Sequence, residues 1–176
     1  MSCNVHQSRS CGCGCGCGQR PMMGSMPFSE PIAPKKREAD LGGSQVEMLS
    51  HDKTVIANNQ VVVFNNVLNG SSANISYSIT NGVFSINKAG VYLASWWVNL
   101  DQATQVAGQN ISFGIKQNGG VPIVATASAP SGQIFGTCLI SVDIAPLTLT
   151  LNNVSGVSVT LGDASPKAGL SIVGVF

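Results

Sequence analysis

Charged residues are scarce in this chain. Lys, Arg, Asp and Glu make up 10% of its 176 residues, and the formal net charge is +1. Soluble domains usually carry about a quarter charged residues. The surface is therefore either covered by neighbours or made polar without charge by Ser, Thr, Asn and Gly. The charge balance does not predict a basic surface that could bind nucleic acid. The basic residues 35–37 are followed by Glu38 and Asp40, which favours a solvated linker.

Histidine is equally rare, and this argues against catalysis. The chain has two, His6 and His51, and none follows residue 51. A Ser/His/Asp or Cys/His site needs a histidine within the fold. Asp101, Asp143 and Asp163 lie far apart in sequence, without the spacing of a paired acid and base. We therefore predict no enzyme activity, no catalytic residues and no cofactor.

Long apolar runs are also missing. No stretch of 18 apolar residues occurs, so no membrane span is predicted. The first ten residues lack the apolar segment of a signal peptide, so we expect no ordinary secretory export.

Composition divides the chain into three zones. Residues 1–20 are rich in Cys and Gly, and residues 21–50 form a Pro-rich linker. Residues 51–176 alternate strand patterns with Gly, Asn and Pro turns. We place the domain boundary near Ser50.

The third zone shows no helical periodicity. Regularly spaced short strands favour an all-β sandwich or jelly roll of about ten strands. We expect strands at 54–57, 60–64, 74–79, 82–87, 91–100, 109–117, 121–127, 133–144, 147–152, 156–161 and 169–176.

Residues 77–97 hold both Trp and both Tyr of the protein. On either side of Gly90 the residues alternate as they do in half-buried strands, which predicts two strands joined by a tight turn. Side chains two positions apart share a face. The predicted core aromatics are Tyr77, Phe84, Tyr92 and Trp96.

The segment 133–144 is the most apolar strand. Ile134, Cys138, Ile140, Val142 and Ile144 share one face with Gly136, and Phe135 and Leu139 share the other. We expect both faces to be buried. Packing along a trimer axis explains this, with Phe135 and Leu139 at the axis. A central strand beneath a loop is the alternative.

The chain resembles a known family in several motifs. Phe84, Gly90 and Tyr92 match the complement and tumour-necrosis-factor-like jelly roll. Together with 63–67, 115–122, 159–162 and 168–176, they resemble the C-terminal head of BclA-type exosporium glycoproteins. The collagen-like stalk of that family is missing, because Cys and Gly alternate with period two and collagen needs Gly at every third position.

This resemblance implies a homotrimeric, non-enzymatic TNF-like jelly roll with an extended N-terminal arm. It would be a structural protein of the bacterial spore surface, either a fibre subunit or an exosporium or coat component. It would be deposited from the mother cell and would associate with itself and with other coat or exosporium proteins. The alternative is a trimeric head that binds a protein or glycan through the turns at 101–108 and 128–133. Some relatives bind calcium, for which Asp101 or Asp163 are weak candidates.

Cysteine is concentrated in the arm. The cross-link candidates are Cys3, Cys11, Cys13, Cys15 and Cys17. Disulfides between chains, binding of a soft metal or a thioester, and an unstructured tail remain open. Cys138 stands alone on an apolar strand and is expected to be inert. Phe28 and Ile32, in the Pro-rich segment, are candidate docking anchors; a plain spacer is the alternative.

Overall fold

The computed structural model describes residues 42–70 and 72–175. This part of the chain forms twelve strands and one 3₁₀ turn at Gln102–Thr104. The strands are β1 Gly43–Met48, β2 Val55–Ile56, β3 Asn66–Asn69, β4 Ile75–Ser78, β5 Val83–Ile86, β6 Gly90–Asn99, β7 Asn110–Gln117, β8 Ile123–Ser128, β9 Gln133–Val142, β10 Leu147–Asn153, β11 Val159–Thr160 and β12 Ala168–Gly174.

Ten of these strands build two antiparallel sheets. The first sheet has the order β3-β1-β12-β6-β9, and the second has the order β4-β5-β10-β7-β8. Strands β2 and β11 form a separate two-stranded ribbon. The all-β jelly-roll sandwich predicted from the turn spacing is confirmed.

The core lies between the two sheets, because each strand turns alternate side chains inward. Phe64, Phe84 and Phe113 are fully buried, and Tyr92 and Trp96 are buried with them. The rings of Phe64, Tyr77 and Phe84 pack together, with centroids 4.5–6.5 Å apart.

The chain crosses between the sheets near Gly90. Strand β5 ends at Ile86 in the second sheet, and β6 begins at Gly90 in the first. The two strands joined by the predicted turn therefore lie in different sheets and do not pair. Gly90 has a φ of 153°, a conformation that L side chains rarely adopt.

Strands β7 and β8 form the clearest hairpin. Their turn places Asn118 and Gly119 at φ values of 48° and 71°. Two consecutive positive φ angles define the hairpin turn that Asn-Gly favours. The Asn118 Oδ1 also accepts hydrogen bonds from the Thr148 N–H and Oγ1, at 2.9 and 3.0 Å, which ties the turn to β10.

Two strands, β1 and β3, are not among those predicted from the sequence. Strand β1 pairs with β12 along its whole length and with β3 on its other side. It lies inside the stretch 21–50 assigned to the linker, so the sandwich begins before residue 51. Conversely, the strand expected at 60–64 contributes only a single bridge, between Val61 and Asn152.

The strand expected at 133–144 ends earlier. Strand β9 stops at Val142, and the chain turns before β10. Ile144, which we had expected on the buried face, lies in that turn with 84% of its surface exposed. The prediction for Ile144 is wrong because alternation was extended past the end of the strand.

Candidate self-association face

The outward side of the first sheet has three rows of side chains, which together we call the association face. The rows follow from the register of β1, β12, β6 and β9, since residues paired across antiparallel strands stand side by side. Each row crosses all four strands.

The first row contains the aromatic side chains. It runs Glu47, Gly169, Trp97, Phe135 across the paired strands. Phe135 is 67% exposed, and Trp97 is half-buried. The Trp97 indole lies over Gly169, where a Cβ would stand 2.7–3.0 Å from three of its ring atoms. The missing side chain at 169 therefore lets the ring rest on the sheet.

The second row is polar and uncharged. It runs Gln45, Ser171, Ser95, Thr137. The Ser95 and Thr137 hydroxyls share a hydrogen bond of 3.2 Å, and the Gln45 Oε1 accepts a long one of 3.4 Å from Asn69. The side chains of this row are polar, but none of them is charged.

The third row is apolar. It runs Gly43, Val173, Leu93, Leu139. Leu139 is 63% exposed, and Val173 and Leu93 are 49% and 38% exposed. Three aliphatic side chains side by side on a sheet expose surface that a neighbouring copy can cover.

The outward side of the second sheet is different. It carries mainly hydroxyl and amide side chains, such as Ser112 and Thr126, whose hydroxyls lie 2.8 Å apart. In the described part of the chain, Val124 is the one large aliphatic residue on these five strands that is exposed. The two outward surfaces of the sandwich thus differ in chemistry, and only the first is apolar enough to suggest self-association.

A cavity of about 320 Å³ opens on the association face. Its lining includes Trp97 and Phe135, from β6 and β9, and Gln45 and Glu47, from β1. The remaining lining residues are Ser95, Trp96, Gly136, Thr137, Gly169, Leu170 and Ser171. Glu47 is the one charged residue of the three rows, and among the described residues no basic group forms an ion pair with it.

The predicted core aromatics lie at the sheet interface. Phe84, Tyr92 and Trp96 are buried, whereas Tyr77 is half-buried. The Tyr77 hydroxyl accepts from the Phe64 N–H at 2.7 Å and donates to the Phe64 carbonyl at 3.0 Å. Burial raises the pKa of Tyr77 more than the backbone hydrogen bond lowers it. These four residues stabilise the fold rather than form a site.

The structure brings both trimer-axis candidates, Phe135 and Leu139, onto the association face. Within one protomer they are exposed, so their expected burial requires another copy. Cys138 lies between them but turns inward beside the core, half-buried. Burial raises the pKa of the Cys138 thiol, which disfavours the reactive thiolate.

The remaining candidates belong to the arm and to the turns. Cys3, Cys11, Cys13, Cys15, Cys17, Phe28 and Ile32 lie outside the described residues. Asp101 caps the 3₁₀ turn, where its Oδ1 accepts from the Ala103 N–H. Within 42–70 and 72–175 no three His, Cys, Asp or Glu residues cluster as metal ligands. That same part of the chain has no helix long and apolar enough to span a membrane.

Trp97 is the main residue of the association face that was not predicted from the sequence. The alternation that places Trp96 inward places its neighbour Trp97 outward, so this signal was available. Its partner Gly169 gives no such signal, because only the pairing of β6 with β12 brings the two together.

No family model matches the chain, and no curated protein matches it. Solved structures, in contrast, match the chain. The globular domain of zebrafish complement 1qA aligns with 76% of this chain and 97% of its own, with a TM-score of 0.54 and 15% identity. The fold is a jelly roll of the complement C1q and tumour-necrosis-factor type.

Two further structures show the same sandwich. Murine APRIL aligns over 76% of this chain and all of its own, at a TM-score of 0.52 and 11% identity. The PRD1 vertex protein P5 covers 78% of this chain and 99% of its own, with a TM-score of 0.51 and 14% identity. The sequence identities to these three structures are low, so the likeness establishes only the C1q/TNF-like fold.

Proposed function

We propose that this protein is a structural, self-associating head that forms homotrimers through the association face. The observation that carries the proposal is the apolar row of Leu93, Leu139 and Val173, with Phe135 in the aromatic row nearby. Burying such surface between copies is favourable by roughly 25 cal/mol per Å². Heads of the C1q and TNF type are homotrimers, which supports three copies rather than two.

The spore surface is the proposed location. Its support is the ordered series of motifs that resemble BclA-type heads, from residues 63–67 to the C-terminal strand. The head would serve as a fibre subunit or as a component of the exosporium or coat, without catalytic activity. The Cys-rich arm would attach it to other coat proteins or cross-link neighbouring trimers through disulfides.

Substitution on the association face tests the proposal. The double variant Phe135→Ser, Leu139→Ser removes two exposed apolar side chains and leaves the buried core unchanged. Light scattering after gel filtration should give the mass of one chain for this variant and the mass of three chains for the unchanged protein. Val124→Ser, which removes an exposed aliphatic side chain from the other sheet, should stay trimeric. A double variant that remains trimeric places the interface elsewhere.

A further inference from the structure

The sequence contains three Asn-Gly pairs, which begin at Asn69, Asn81 and Asn118. An asparagine in such a pair can lose its side-chain amide, because glycine has no side chain to shield the backbone nitrogen that attacks it. The reaction needs an asparagine side chain that can turn toward that nitrogen, and a nitrogen that is not held in a hydrogen bond. The fold meets these two conditions unequally at the three pairs.

The pair at Asn81 is closed on both counts. Gly82 is buried, and its N–H donates to the Ser78 carbonyl at 2.9 Å. A Cβ at Gly82 would lie 2.8 Å from the Val61 side chain, so the backbone is tightly packed there. The Asn81 Oδ1 also accepts from the Val83 N–H at 3.2 Å. The attacking nitrogen is therefore neither free nor accessible.

The pair at Asn118 is held through its side chain. The Asn118 Oδ1 accepts two hydrogen bonds from Thr148, one from its N–H at 2.9 Å and one from its Oγ1 at 3.0 Å. These bonds fix the amide against β10. The side chain must give them up before its Cγ can approach the nitrogen of Gly119.

The pair at Asn69 is open. Asn69 and Gly70 are both exposed, and a Cβ at Gly70 would meet nothing within 4 Å. Among the residues that the structure describes, none accepts a hydrogen bond from the Gly70 N–H. The Asn69 Nδ2 makes one long hydrogen bond of 3.4 Å, to the Oε1 of the exposed Gln45. Of the three pairs, this one alone has both a free nitrogen and a weakly held side chain.

We propose that Asn69 is a site of spontaneous deamidation. The Gly70 nitrogen attacks the Asn69 Cγ, and a new C–N bond forms while the bond from Cγ to the amide nitrogen breaks. That nitrogen takes the Gly70 proton and leaves as ammonia. Water then opens the succinimide at either carbonyl and gives aspartate or isoaspartate. Asn69 belongs to β3, outside the four strands of the association face, so the proposal does not rest on trimer formation.

The fold can accept the product. The new carboxylate stands opposite Gln45 in the register of β1 and β3, and the Gln45 amide can turn to donate to it. Isoaspartate adds one carbon to the backbone, but it does so at the last residue of β3. Deamidation thus gives a surface poor in charge a new negative group without breaking the sandwich.

Peptide mapping by mass spectrometry tests the site, on the full chain incubated in warm, mildly alkaline buffer. Asn69 should convert at least about tenfold faster than Asn118, because the loss of even one hydrogen bond of about 1.4 kcal/mol precedes reaction at Asn118. Asn81 should stay intact over the same period. The proposal fails if Asn69 reacts no faster than either of the other two.

Two variants test the physical reason. Gly70→Ala places a methyl group in open space and should leave the melting temperature unchanged. It should slow conversion at Asn69 about tenfold, because the methyl group shields the nitrogen and restricts the backbone. Equal rates in this variant and in the unchanged protein would overturn the mechanism.

Thr148→Val is the matched variant at a protected pair. It removes one of the two hydrogen bonds that hold Asn118 and should speed conversion there, while the rate at Asn69 stays the same. An unchanged rate at Asn118 would contradict the account of why Asn69 is singled out.

Discussion

At the scale of residues, adjacent tryptophans serve opposite sides of one sheet. Trp96 turns inward beside Gly136, and Trp97 turns outward over Gly169. In both cases an indole covers the backbone of a glycine on a neighbouring strand. Alternation within β6 predicts the two directions, but the glycines that make room for the rings become apparent only from the pairing of the strands.

Tyr92 tests the assignment of the core at this scale. Its ring is fully buried, and its hydroxyl donates to the Lys88 carbonyl at 2.9 Å. Tyr92→Ala should lower the free energy of unfolding by about 3–5 kcal/mol, because it leaves a cavity among packed side chains. Urea denaturation measures this loss. Val121→Ala, at a position 90% exposed, should change stability by less than about 0.5 kcal/mol. Equal midpoints for the two variants would show that Tyr92 is not core.

At the scale of elements, sequence patterns located most of the strands. Strands β5, β6, β7, β9 and β10 follow clear alternation between turn signals, and the structure has them within a few residues of the prediction. The short strand β1 was missed because it follows a Pro-rich, charged stretch and carries Gln45 and Glu47. Its strand conformation depends on pairing with β12, more than a hundred residues away, which no local pattern reveals.

Truncation at two positions tests the role of β1. A chain of residues 42–176 keeps this strand and should unfold cooperatively in thermal denaturation. A chain of residues 51–176 lacks Val46 and Met48, both buried, and leaves the edge of β12 unpaired. It should be insoluble or melt well below the longer chain. Equal melting temperatures would mean that β1 adds nothing to the sandwich.

At the scale of the whole molecule, the outward surfaces of both sheets explain the low charge content. The second sheet presents hydroxyls and amides, and the first presents an apolar row beside a polar one. The uncharged polar reading of the composition describes the second sheet, and the covered-surface reading describes the first sheet in the proposed trimer. The sequence alone could not assign them, because the side a residue faces depends on which strands share a sheet.

The arm carries a separate prediction. Changing Cys11, Cys13, Cys15 and Cys17 to Ser should leave trimers intact, because none of the strands described within 42–70 and 72–175 contains these residues. Assemblies larger than a trimer should lose resistance to heat and denaturant, and a reducing agent should mimic the change. Electron microscopy and gel electrophoresis without reductant measure both effects. Assemblies that stay equally resistant would show that these cysteines are not the cross-link.

The mass of the intact protein in solution tests the central claim most directly. Sedimentation equilibrium under reducing conditions removes any contribution from disulfides between arms. We predict a single species with three times the 18.1 kDa mass of the chain, held by the association face. A monomer across the micromolar range would contradict the account, because the exposed Leu93, Leu139 and Val173 would then be uncovered in the native protein.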